Sequence, residues 1–160
     1  MKYIMQVQNT YLEQLELLKK NKVAVVCGIL SGTLASLTGI FVLCMLFGFN
    51  HQQYVTMLPK SITTAIGIGI SEELGGIVTI TVAVIIITGI LGNVIADTVF
   101  HIFKIKNPLA KGLALGTASH AIGTARAIEM GPVEGAMSSL AVAVAGLLTV
   151  VFVSGFAQLI

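Results

Sequence analysis

Residues 116–131 read GTASHAIGTARAIEMG, a histidine, an arginine and a glutamate set in an otherwise apolar half of the chain. Whether this stretch crosses a membrane, lies on it or folds back inside it decides the architecture. The rest of the sequence supplies the context. Of 160 residues, 56% are hydrophobic and only 10% charged, with a mean hydropathy of +0.97. A soluble domain carries about 25% charged residues. Residues 23–49, 75–96 and 135–160 contain no charged residue. Each run exceeds the roughly 20 residues that a helix needs to cross about 30 Å of hydrocarbon.

None of these runs reads as a signal peptide. The first is longer than a typical apolar signal region, and no small-residue cleavage pattern follows it. The net charge of +2, with no basic patch interleaved with aromatics, argues against nucleic acid as a partner. Cys27 and Cys44 lie inside the first run without CxxC spacing and read as small packing residues.

Residues 1–22 form a polar lead-in containing YLEQLELLKKNK. Leu12, Leu15 and Leu18 recur there at helical spacing, which predicts a cytoplasmic or interfacial amphipathic helix. From residue 23 to 160 the chain is expected to be a membrane domain with spans at about 23–49, 77–97 and 135–160. A turn is expected at Asn50–Gln53. Residues 58–75, LPKSITTAIGIGISEELG, have an uncharged part, 61–71, that as a helix covers only about 16 Å, half the bilayer core. Residues 65–75 align with 121–131: Ala65, Ile66, Gly67, Glu73 and Gly75 match Ala121, Ile122, Gly123, Glu129 and Gly131. A full span follows each copy.

Lysines orient these pieces. Cytoplasmic loops are enriched in Lys and Arg near span ends, so Lys19, Lys20 and Lys22 place the N-terminus inside and send the first span outward. A full crossing by 58–75 would then leave Lys104, Lys106 and Lys111 outside. A segment that dips in and returns brings them inside. By the same reasoning 112–131 dips in from the cytoplasm. The expected fold is all-α and integral to the membrane: about three transmembrane helices plus two re-entrant or discontinuous segments forming an inverted repeat. In secondary transporters substrate sites form where broken helices of inverted repeats meet near the midplane. Non-helical backbone persists at that depth only when buried in protein or lining a wet cavity.

Arg126 is the most informative side chain. A charge at the bilayer centre costs about 2.5–3.5 kcal/mol on insertion scales, and a guanidinium can hold a carboxylate with two parallel bonds. It can equally pair with Glu129 three residues on, or lie shallow at the interface. His120 titrates near neutral pH, or stays neutral and bonds a loop carbonyl. Ser61, Thr63, Thr64, Thr117, Ser119 and Thr124 offer neutral donors to a polar solute, or satisfy backbone. Glu73 and Glu129 occupy matching repeat positions as candidate ion-pair or gating groups, or mark solvated loop ends. Lys60, beside a proline, reads as an interfacial anchor. There is no GxSxG, HExxH, Walker loop or metal-spaced Cys/His cluster, so no enzyme activity, catalytic residue, metal or cofactor is expected.

The run KGLALGTASHAIGTARAIEMGPVEGAMSSLAVAVAGLLT from Lys111 resembles the signature of the LrgB/CidB family. So do LPKSITTAIGIGISEELGGI (58–77), ITGILG (87–92) and QLELLKKN (14–21). The likeness runs from near Tyr11 to the C-terminus. It implies a multi-pass protein of the bacterial inner membrane working beside a holin-like LrgA/CidA partner, as a homo- or hetero-oligomer. Relatives comprise antiholin-like regulators of murein hydrolases and autolysis, bacterial pyruvate transport systems and a plastid glycolate/glycerate carrier. The expected solute is a small carboxylate; the alternative function is regulation of autolysis. Ser119, His120, Gly123, Thr124 and Arg126 belong to the resembling signature, with Ser61, Thr63 and Thr64 in the earlier motif. Family members carry further spans ahead of QLELLKKN, which residues 1–10 do not resemble, so the chain reads as a truncated or split product.

Overall fold

Inside hydrocarbon no water satisfies backbone N–H and C=O groups, and a single segment can satisfy its own only as a helix. The computed structural model, which describes residues 14–160, is accordingly helical throughout. Of the lead-in expected over 1–22, residues 1–13 lie outside the described part and 14–20 are helical. Thereafter come α1 (Lys22–Phe47), α2 (His51–Met57), α3 (Thr64–Glu73), α4 (Val78–Ile102), α5 (Pro108–Met130) and α6 (Pro132–Ala157). Three of these, α1, α4 and α6, are long and apolar enough to cross a membrane. At 25 or 26 residues each, they are about 38 Å long. Their outward faces carry Val42, Leu46, Ile86, Ile90, Val94, Leu147 and Val151, all exposed.

The short helices α2 and α3 form a hairpin. The expected turn at Asn50–Gln53 is instead the start of α2. Asn50 accepts from the Gln53 backbone N–H at 2.9 Å, and the Gln53 side chain accepts from the Asn50 N–H at 3.0 Å, a capping box that nucleates the helix. The hairpin returns to the end it left, since the Gln52 side chain reaches the Gly75 carbonyl at 3.4 Å. The end of α6 closes over it, with the Tyr54 hydroxyl donating to the Phe156 carbonyl at 2.9 Å. Around the hairpin Leu37, Ile40, Tyr54, Leu58, Ile70 and Val153 form one buried cluster.

Helix α5 is the second hairpin. Asn107 caps its start by accepting from the N–H groups of Leu109 and Ala110, and Pro108 occupies the first turn, a favoured arrangement. The chain leaves helical geometry at His120 (φ 42°, ψ −136°) and reverses. Residues 108–119 run alongside α6 in the same direction, because a methyl group at Gly112 or Gly116 would overlap the carbonyl of Glu134 or Ser138. After the break the order inverts: Thr124 bonds Ser138 at 2.8 Å, and Gly135 packs on Ile128. Without a hydrophobic drive inside lipid, close backbone contact of this kind is what holds helices together. Both ends of α5 therefore lie with the starts of α1 and α6 and the end of α4. This is the end that carries Lys104, Lys106 and Lys111, with Lys111 over the Phe100 ring at 5.7 Å.

The two hairpins thus enter from opposite ends. The aligned stretches 65–75 and 121–131 fall on the two return arms, each leading into a long helix. In a protein with Cys27 and Cys44 replaced, cysteines introduced at positions 52 and 74 are expected to label from the same side of the membrane. A cysteine at position 106 should label only from the other. Opposite sidedness for 52 and 74 would show the first hairpin to be a crossing.

Candidate functional site

The first tip is the non-helical turn over residues 58–63. Pro59, which has no N–H and restricts the residue before it, sits at the end of α2, and the Lys60 N–H closes the turn onto the Met57 carbonyl at 3.2 Å. Lys60 was expected to anchor the chain at an interface. Its ammonium instead donates to Ser61 Oγ at 2.8 Å and to Ser36 Oγ at 3.4 Å. Ser36 and Ser61 bond each other at 2.9 Å. Ser36 lies near the middle of α1, so Lys60 sits deep, not at a boundary. The two ion pairs among the described residues both belong to Arg126; Lys60 has no carboxylate partner.

The second tip is His120. Its ring Nε2 lies 2.9 Å from the Ile85 carbonyl in mid-α4, and since a carbonyl only accepts, Nε2 carries the proton. The break frees backbone groups, and nearby side chains satisfy them. Thr124 Oγ donates to the His120 carbonyl at 2.9 Å, and Asn93 donates to the Ile122 carbonyl at 3.1 Å. Ser119 is buried against Gly92 of α4.

A cavity of about 740 Å³ runs from the lysine-bearing end, at Asn107 and Ala24, to Ser36, Lys60, Ser61 and Thr117. Behind it a void of about 10 Å³ lies between Thr33, Ser36, Ser61, Thr117 and Thr149, near the lower limit for one water. Ser61 of the first tip and Thr117, on the arm of α5 that leads to the second tip, therefore share one site. Thr33 is 2% exposed, and its hydroxyl has no hydrogen-bond partner among the described residues.

The other expected site residues are distributed differently. Ser119, His120 and Thr124 hold the second break together. Thr63 stands at the N-cap of α3 without a side-chain capping bond, and Thr64 opens that helix. Arg126 lies on the return arm and bonds Asp97 of α4 and, at 2.7 Å, Glu129. It does not line the cavity between the tips. Glu129 is thereby an ion-pair partner, whereas Glu73 is exposed at the end of α3. Sequence reasoning missed Lys60, Ser36, Thr33 and Asp97. Ser36 and Thr33 carry no signal beyond their type. Lys60 was recoverable once HQQYVTM (51–57) is read as a descending arm, because the turn then falls on LPK.

A model described as the LrgB-like family matches residues 10–159. The chain belongs to the LrgB-like family. It is 39% identical over 148 residues to the antiholin-like protein LrgB of Bacillus subtilis (strain 168), covering 92% of this chain and 64% of that protein. It is 40% identical over 144 residues to the proteins of the same name from Bacillus cereus (strain B4264) and Bacillus anthracis (strain CDC 684 / NRRL 3495), covering 90% of this chain and 63% of each. The chain thus spans a little under two thirds of the length of these curated relatives. No solved structure matches it.

Two substitution series probe this LrgB-like site. His120→Ala and His120→Gly lose the same bond to Ile85, but only glycine adopts the observed φ without strain. The alanine variant should be less stable than the glycine variant by about 1 kcal/mol, read from unfolding of purified protein; equal stability would mean the break is not strained. At the other contact, Arg126→Gln and Asp97→Asn should each lower the amount of protein in membranes. Arg126→Gln strands both Asp97 and Glu129, so adding Asp97→Asn and Glu129→Gln to it should raise membrane levels above those of Arg126→Gln alone; simple additivity would show the residues to be uncoupled.

Proposed function

We propose that this LrgB-like chain translocates a small monocarboxylate of the pyruvate, lactate and glycolate class across the bacterial cytoplasmic membrane, beside a holin-like LrgA-type partner. The observation carrying this reading is the meeting of two broken hairpins, entering from opposite ends, at a cavity with Ser36, Lys60, Ser61 and Thr117 at its inner limit. Alternating access is commonly built on such a site, with one repeat rocking against the other. The lysine-bearing end is assigned to the cytoplasm by the enrichment of basic residues there. Arg126, held by two carboxylates, braces the return arm of α5 to α4, and Ser61 and Thr117 face the solute.

A second reading is favoured by the names of the relatives, antiholin-like proteins. In it the chain regulates autolysis through contact with holin-like membrane proteins and moves nothing. The two readings part on flux. Cells carrying the chain, with and without an LrgA-type protein, are expected to take up labelled pyruvate or glycolate saturably, each competing with the other, and uptake should be lost when Ser61 and Thr117 are both replaced by leucine. Autolysis altered equally by wild type and by this flux-less variant would make regulation the primary activity.

A further inference from the structure

The cation at the heart of the fold is not the arginine of the signature but Lys60. Its ammonium has three N–H donors, of which one goes to Ser61 at 2.8 Å and one, more weakly, to Ser36 at 3.4 Å. Ser36 and Ser61 share a single hydrogen bond at 2.9 Å. Ser36 donates it, and the Ser61 hydroxyl proton meets no acceptor among the described residues. Thr33, one helical turn before Ser36 on α1, adds a buried hydroxyl with no hydrogen-bond partner among the described residues. Ser36 and Ser61 border both the cavity and the void behind it, Lys60 the cavity and Thr33 the void, with no carboxylate ion-paired to Lys60 among the described residues.

We infer that Lys60, with Ser36 and Ser61, forms the seat for the carboxylate of a small monoanion. One unpaired positive charge in a low-dielectric setting calls for one negative charge, so a dianion or a phosphate would bring uncompensated charge. The hydroxyls are placed to bond the carboxylate oxygens and a neighbouring 2-oxo or 2-hydroxy oxygen. Elsewhere the cavity is walled by small side chains, Gly28, Gly32, Ala35, Ala114 and Ala118, which suit a short carbon remainder. The cavity reaches the lysine-bearing end, so in this conformation the seat is approached from that side. The solute class rests on the transport reading above; the anion seat itself stands on geometry alone.

The test measures unfolding midpoints of the detergent-purified chain with sodium pyruvate, with sodium chloride at equal ionic strength, and with uncharged methyl pyruvate. Pyruvate is expected to raise the wild-type midpoint in a saturable manner, while chloride and methyl pyruvate leave it in place. Lys60→Met should abolish the response, and Lys60→Gln serves the same comparison if the methionine variant does not insert. Lys60→Arg keeps the charge but replaces a compact ammonium with a wider fork. It should respond at about tenfold higher pyruvate. An equal response from wild type and the neutral variants would overturn the seat, as would the absence of any wild-type response. Uptake measured in parallel separates the two claims. A Lys60-dependent response without flux keeps the seat and removes the transport reading. Flux undiminished in Lys60→Gln removes the seat and keeps transport.

Discussion

Everything in this fold depends on satisfying the backbone where a helix stops in mid-membrane. A helix that crosses completely has no such problem, because each N–H and C=O bonds within the segment. A helix that stops halfway strands polar groups at the depth where they cost most, and the surrounding protein has to answer them. At the second tip that answer is explicit. Thr124 takes the His120 carbonyl, Asn93 takes the Ile122 carbonyl, and the His120 ring spans to Ile85. At the first, the Lys60 N–H folds back on Met57 and its side chain binds the two serines. The close backbone contacts at Gly112 and Gly116 follow from the same need, since only tight packing against α6 keeps lipid away from the break.

Much of the architecture was legible in the sequence because it follows from length and charge. Three uncharged runs dictate three long helices. A run half the required length, with lysines that would otherwise face the wrong side, dictates a hairpin. The repeated AIG…E.G pattern marks the two return arms, because both need a small residue shortly after a break and both terminate at a polar end. What stayed hidden was where each break falls. HQQYVTM has too little apolar character to read as membrane-embedded. Its Tyr54, Val55 and Thr56 are nevertheless each 2% exposed or less, because protein and not lipid surrounds that part of it. Reading Asn50–Gln53 as a turn and starting the re-entrant segment at residue 58 moved Lys60 from the tip to an edge.

The same displacement explains the contrast between the two cations. Arg126 attracts attention as a charge within the most distinctive stretch. Yet the second helical arm carries it six residues beyond the break, about 9 Å back toward the end from which α5 began. There Asp97, distant in sequence and without a local spacing to betray it, meets it together with Glu129. A cation held by two partly exposed carboxylates has its charge answered within the protein. Lys60 has no such answer among the described residues. On the proposed reading, the depth of a charge, not its presence in a motif, separates a brace from a binding group, and depth is set by the position of the turn.

The inverted repeat is therefore symmetric in backbone and asymmetric in chemistry. The first hairpin brings an ammonium and a serine to mid-depth on a proline-stopped turn that leaves the lysine side chain free to reach α1. The second brings Thr117, whose hydroxyl is spent on the Leu113 carbonyl at 2.9 Å, and His120, whose ring is committed to α4. The first hairpin thus presents donors at its tip, while both hairpins are tied to their neighbours along their arms, the first through Thr81 of α4, which donates to the Thr56 carbonyl at 2.9 Å and to Ser71 Oγ at 2.8 Å. If one hairpin moves against the other, the second is bound to both α4 and α6 by side-chain bonds and close backbone contact. The first is held to α4 through Thr56 and Ser71 and to α6 through Tyr54, and its tip meets α1 at Ser36 and Leu37, so a displacement that carries Lys60 across the face of α1 has to break these contacts as well.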